Sequence, residues 1–185
     1  MSEPTRELLM DERAVQRALA RMAREIVEHN PGLTDLVLIG VQRRGVQLAA
    51  RLADEIERAE SIRPPVGTLD ITLYRDDLTT IGPRPVLGET SLPGSIDQKR
   101  VVIVDDVSYT GRTVRAALDE LADFGRPARI FLCVLIDRGG RELPIQPDIV
   151  GRQINAGPHQ LVEVRVPEID GRLGVELLTR NQPAA

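Results

Sequence analysis

Three short stretches of this chain, 36–41 (LVLIGV), 101–104 (VVIV) and 130–136 (IFLCVLI), are apolar throughout. A strand with one wet face alternates apolar and polar residues, so a strand apolar on both faces has to be covered on both. Between these runs the apolar period changes to that of a helix. In 11–29, Val15, Leu19, Met22 and Ile26 share one face, and Asn30-Pro31-Gly32 stops the pattern. In 46–58, Ala49, Leu52, Ala53 and Ile56 point inward; in 113–124, Val114, Leu118 and Leu121 do, before Gly125. The stretch 68–74 alternates and predicts a strand with one polar face, and 161–166 does the same near the end. Strand alternating with helix predicts an α/β fold with a parallel sheet. The 185 residues suit one domain. Residues 75–98 carry Arg, Asp, Gly and Pro without periodicity and predict a long functional loop.

Composition narrows the chemistry. No apolar run approaches the ~20 residues of a bilayer span, and the acidic, mixed start does not read as a signal peptide. The single cysteine, Cys133, lies inside an apolar run and predicts a buried thiol without a disulfide. These features predict a soluble cytoplasmic protein. Lys99 is the one lysine among 24 basic residues, so chemistry needing a lysine at a phosphate has one candidate, in a polar turn. His29 and His159 lack metal-ligand spacing, which disfavours a zinc enzyme or a Ser-His-Asp hydrolase.

The densest signal is Val101, Val102, Ile103, Val104, Asp105, Asp106, Val107, Ser108, Tyr109, Thr110, Gly111, Arg112 and Thr113. Ligands of open α/β sheets bind beyond the carboxyl ends of strands, where Asp105 and Asp106 are expected. The following turn offers hydroxyls, a glycine and a helix N-terminus, an anion site. Two carboxylates repel phosphate, but they accept hydrogen bonds from a vicinal diol and can hold magnesium. The ligand read from these residues is a ribose 5-phosphate with a metal.

This stretch resembles the phosphoribosyl diphosphate (PRPP) motif of type I phosphoribosyltransferases. Residues 70–78 (DITLYRDDL), 111–118 (GRTVRAAL), 124–127 (FGRP) and 137–144 (DRGGRELP) are similar to pyrimidine-operon attenuators that are also uracil phosphoribosyltransferases. The resemblance implies the type I phosphoribosyltransferase fold, with a small hood at 137–160 and a flexible loop at 75–98. It implies uracil and PRPP as substrates, UMP as product, Mg2+ accompanying PRPP, a homodimer or larger homo-oligomer, and binding to a pyrimidine-operon mRNA leader. By the same resemblance Asp105 and Asp106 would hold the ribose, and Thr110 to Thr113 the 5-phosphate. Gly40, Val41, Arg43, Arg44 and Gly45 would form the pyrophosphate loop. Arg75 and its loop would cover the site during turnover, and Asp137 and Arg138 would border the base. Arg13, Arg17, Arg21 and Arg24 form a cationic helix face which, with Arg141 and Arg152, is the candidate RNA surface. The chain departs from the family pattern at Ala20, Arg24, Arg43, Ser108, Gly140 and 153–157.

Competing readings are weaker. Gly40 to Gly45 has a phosphate-loop spacing, but Val46 stands where lysine is required. A receiver domain would carry the acidic doublet near its start and a later lysine. A regulator without catalysis, or a transferase for another base, remains inside the resemblance.

Overall fold

The computed structural model describes residues 5–74 and 88–179. Its centre is a five-stranded parallel sheet of order β3-β2-β4-β5-β6, built from Val66–Leu69, Leu36–Val41, Arg100–Ser108, Arg129–Asp137 and Ile149–Gln153. Helices α1 (Glu12–His29) and α2 (Arg44–Glu60) cover one face, and α3 (Arg112–Phe124) covers the other. The pleat explains the continuous apolar runs. Leu36, Leu38, Val102, Val104, Phe131 and Cys133 pack with α1 and α2, whereas Val37, Ile39, Val101, Ile103, Leu132 and Val134 pack with α3. Cys133 is buried, and that burial pushes its thiol far above the ordinary range.

A second sheet, antiparallel, has the order β1-β8-β7 and unites the two ends of the described chain: Thr5–Met10, Gly174–Thr179 and Gln160–Arg165. Its Val162, Val164 and Val175 enter the core beneath α1 and α2. Between β7 and β8 lies the single helical turn α4, Pro167–Asp170. The segment 137–160 holds a turn and β6, which joins the parallel sheet. Among the described residues no helix is long and apolar enough to cross a membrane.

Local chemistry sets the boundaries. Asp11 caps α1, accepting the Ala14 N–H at 2.7 Å, and the Asn30 amide donates to the Ile26 carbonyl at 2.8 Å to close it. The alternating stretch expected to be a strand to residue 74 is a strand only to Leu69. Asp70 there accepts the Thr72 N–H at 3.1 Å and turns the chain into a 3-10 turn over Thr72–Tyr74. Strand β4 runs on to Ser108, because β5 continues the ladder beside it as far as Asp137. Helix α2 begins two residues before the apolar period does, which places Arg44 in its first turn.

Candidate functional site

Asp105 and Asp106 lie in the last part of β4, near the C-terminal edge of the parallel sheet. Asp105 is buried and Asp106 half-buried. Each accepts the backbone N–H of the next residue at 2.8 Å. Burial, and then the charge of Asp106, hold the Asp105 carboxyl well above the usual carboxylate range. Burial also raises Asp106, opposed by the Val107 N–H and the positive charge of Arg44. Two desolvated acids that receive few hydrogen bonds from the protein are a strong acceptor site for paired hydroxyls. Among the described residues no cluster of three or more His, Cys, Asp or Glu could hold a metal ion. Two carboxylates suit Mg2+ that keeps waters and shares substrate phosphate oxygens, rather than an all-protein cage.

The segment 40–45 reaches this pair because α2 starts hard against β4. A Cβ on Gly45 would stand 2.5 Å from the Val104 carbonyl oxygen, so only glycine permits the approach. Gly40 and Val41 end β2, the Gln42–Arg43 peptide is cis, and Arg43 is exposed. Arg44 is held by α4: its Nε and Nη2 donate to the two Asp170 carboxylate oxygens at 3.0 and 2.9 Å. Asp170 also accepts Arg165 Nη1 at 3.1 Å and the Val166 N–H at 2.9 Å. This donor set, Arg44 first, holds the Asp170 carboxyl far below the usual range.

Beyond Asp106, Ser108 is buried and Tyr109 exposed, and Thr110 Oγ1 accepts the Arg112 N–H at 3.3 Å. Gly111 takes φ of 91°, a left-handed conformation, at the N-cap of α3, and having no side chain it makes no cap hydrogen bond of its own. The opening turn therefore offers an anion the helix dipole and the N–H groups after that of Arg112, which Thr110 holds, with Thr113 exposed beside them.

Strand β5 delivers the neighbouring turn, since Asp137 pairs with Ser108. Asp137 is buried, and accepts the Gly139 N–H at 3.1 Å and Arg141 Nη2 at 2.5 Å. Arg138 stacks on the Tyr109 ring, 3.7 Å from its centroid, and is only 7% exposed. Its Nε is buried without a hydrogen-bond partner among the described residues. Residues 108–109 and the 137–138 turn thus lie side by side.

The arginines read as an RNA surface separate into two groups. Arg13 and Arg17, with Arg51 and Arg58, line a groove of about 570 Å³ between α1 and α2. Arg24 borders a smaller hollow beside it. Arg21 donates to the Val150 and Gly151 carbonyls at 2.9 and 2.5 Å, Arg152 to the Leu9 carbonyl at 2.5 Å, and Arg141 to Asp137. These three guanidinium groups tie elements together. Arg75 lies outside the described residues.

Three residues at the site carry no role in the sequence reading. Asp170 meets Arg44 across 126 positions, and nothing local marks it beyond a place near a Gly-Arg turn. Gln42 Nε2 donates to the Glu89 carbonyl at 3.0 Å. Asp70 accepts the Gly88 N–H as well as that of Thr72, joining the two sides of 75–87; an aspartate at a strand end was a readable turn signal.

Residues 6–168 match the phosphoribosyl transferase domain family. The chain is 53% identical over 163 residues to the bifunctional protein PyrR of Roseiflexus sp., covering 88% of this chain and 89% of that one. It is 54% identical over 172 residues to the protein of the same name from Thermus thermophilus, covering 93% and 95%. Among solved structures, a hypoxanthine-guanine phosphoribosyltransferase of Bacillus anthracis superposes with a TM-score of 0.71 at 21% identity, over 94% of this chain and 98% of that one. The hypoxanthine phosphoribosyltransferase of Trypanosoma cruzi gives 0.71 at 23% identity, over 94% of each. At such identities these two structures speak for the fold.

Proposed function

Because the chain belongs to the phosphoribosyltransferase family, and within it to the bifunctional PyrR proteins, we propose that it is a uracil phosphoribosyltransferase and a regulator of pyrimidine-operon expression. It forms UMP and diphosphate from uracil and PRPP, and it promotes transcription attenuation by binding the mRNA leader. The observation that carries the enzymatic half is the placement of the buried Asp105–Asp106 pair. The positive charge of Arg44 acts on that pair, and the Gly111 turn that opens α3 follows it in the chain.

In this reading the ribose hydroxyls donate to Asp105 and Asp106, and the 5-phosphate sits on the N–H groups of Thr110 to Thr113. The pyrophosphate lies along 40–45 with Arg44. The bond from the sugar C1 to diphosphate breaks as the bond from uracil N1 forms, the N1 proton passes to diphosphate or water, and positive charge grows on the sugar ring in the transition state. The two carboxylates lie where that charge is stabilised without reorganisation. Arg75 and its segment would exclude water from the reacting sugar. Asp137 and Arg138 border the base. Mg2+ held with PRPP beside the two aspartates would neutralise the departing diphosphate. Arg13, Arg17 and Arg24 are the free part of the RNA surface, Arg21, Arg141 and Arg152 being committed within the fold. The place of action is the cytoplasm. Association into a homodimer or larger homo-oligomer belongs to the same reading, and sedimentation of the full chain checks it.

The test is a PRPP-dependent assay across uracil, hypoxanthine, guanine and orotate, with a magnesium-free arm. UMP formation that needs magnesium, with the other bases inert, is expected; product from a purine or orotate alone overturns the substrate assignment.

A further inference from the structure

The pyrophosphate-loop arginine does not stand alone. Arg44 occupies the first turn of α2, and both donors on its Nε–Nη2 edge are taken by the two oxygens of Asp170. Asp170 is 9% exposed in its side chain and Arg44 29%. Among the described residues, none of the hydrogen bonds made by Arg44 uses Nη1. Its charge is felt at Asp106, and the next residue, Gly45, packs against the backbone of Val104 and Asp105. Asp170 is itself immobilised by Arg165 and by the Val166 N–H, and Arg165 is held in turn by Glu176 at 3.4 Å and by Glu163. A long flexible side chain is thereby reduced to one orientation before any ligand arrives, with part of its fork unspent. Holding a guanidinium in place in advance removes its ordering entropy from the binding step.

We infer that Asp170 is a positioning residue for PRPP, fixing the Arg44 guanidinium so that its free edge meets the pyrophosphate arm. This rests on reading 40–45 as the pyrophosphate loop. A ligand without pyrophosphate does not call on Arg44, so the contribution of Asp170 is specific to PRPP and absent for UMP. A merely structural contribution from α4 would weaken both ligands alike. The same turn supplies an internal control: Glu168 accepts Arg51 Nη2 at 2.7 Å and does not touch Arg44.

The experiment is titration of the full chain with PRPP and, separately, with UMP, alongside KM for PRPP and kcat. Asp170→Asn keeps the shape and removes the charge. It should bind PRPP ~10-fold more weakly and raise KM for PRPP to match, with UMP affinity and kcat within about twofold. Asp170→Glu, which restores the charge one methylene further out, should recover roughly half of that loss on a logarithmic scale. Glu168→Gln should leave both ligands within about twofold of wild type. Combining Asp170→Asn with Arg44→Gln should bind PRPP no more weakly than Arg44→Gln alone. Unchanged PRPP affinity in Asp170→Asn, equal losses of PRPP and UMP, or additive losses in the double variant would each overturn the inference. If Asp170→Asn does not fold, Asp170→Glu decides by the same comparison: a loss confined to PRPP supports the inference, and any other pattern overturns it. A wild-type chain that binds no PRPP sinks the phosphoribosyl reading itself, and this inference with it.

Discussion

Asp105 and Asp106 show how a site is maintained against the fold that carries it. Burial raises both carboxyls, Asp105 the more strongly. A raised folded pKa means that the native state binds protons more tightly than the unfolded chain, whose aspartates titrate near 3.9. The favourable contribution is complete below about pH 4 and is lost as pH climbs toward the raised folded value. At neutral pH the pair destabilises the protein without ligand. Asp105→Asn should therefore raise the thermal midpoint, by ~2–4 °C for each kcal/mol relieved in a domain of this size. The gain should be small near pH 4 and grow toward pH 7 in parallel thermal scans; a midpoint that falls at pH 7 contradicts the account. Asp106→Asn, by the same removal of charge, should lower the rate of UMP formation by about 10²-fold or more, the scale of losing one preorganised electrostatic group. Steady-state assays at saturating PRPP check that figure. The two measurements together separate a residue kept for chemistry from one kept for stability.

At the scale of elements, the approach of α2 to β4 is what brings the segment 40–45 to the aspartates. Gly45 is its narrow point, with a rigid backbone carbonyl 2.5 Å from where a Cβ would stand. Gly45→Ala should push the start of α2 outward, cost about 1–3 kcal/mol as overpacking does, and weaken PRPP binding by carrying Arg44 off. Denaturant melts and a PRPP titration check both effects, and wild-type stability in this variant would contradict the close approach. The elements legible beforehand were those with dense local signals. The buried strand 36–41 matches β2 residue for residue, and α1 and α3 start within one residue of their expected positions. The Asp105-to-Thr113 run was readable because its apolar strand, acids and glycine turn are consecutive. Strand β1 was not, because TRELLM has no alternation and gains its structure from β8, some 170 positions away. Distance also hid Asp170, whose partner Arg44 lies 126 positions away. Asp70 shows a third cause: alternation continued through 68–74, but one Asx turn outweighed it.

The whole molecule sets the terms for RNA. Its formal net charge is −4 and its sequence pI about 5.3, so the long-range field repels a polyanion. Binding has to come from a local patch. The groove between α1 and α2 is the place where arginines gather without all being spent on the fold, and Arg13 and Arg17 line it. Arg21, on the same helix, is anchored to β6 through two carbonyls. With about three or four phosphates engaged on single-stranded RNA, log affinity should fall against log salt with a slope of roughly −2 to −3. Replacing Arg13 and Arg17 together by Gln should flatten that slope by about 1.4, the share of two contacts, while UMP synthesis stays at the wild-type rate. Arg21→Gln should instead lower the thermal midpoint, because β6 loses a charged donor to two of its carbonyls. Gel-shift titrations of a pyrimidine-operon leader at two salt concentrations read the slope, and thermal scans read the anchor. A complete lack of shift for the wild-type chain at low salt ends the RNA assignment, and a slope unmoved by the double substitution moves the contact surface off this groove.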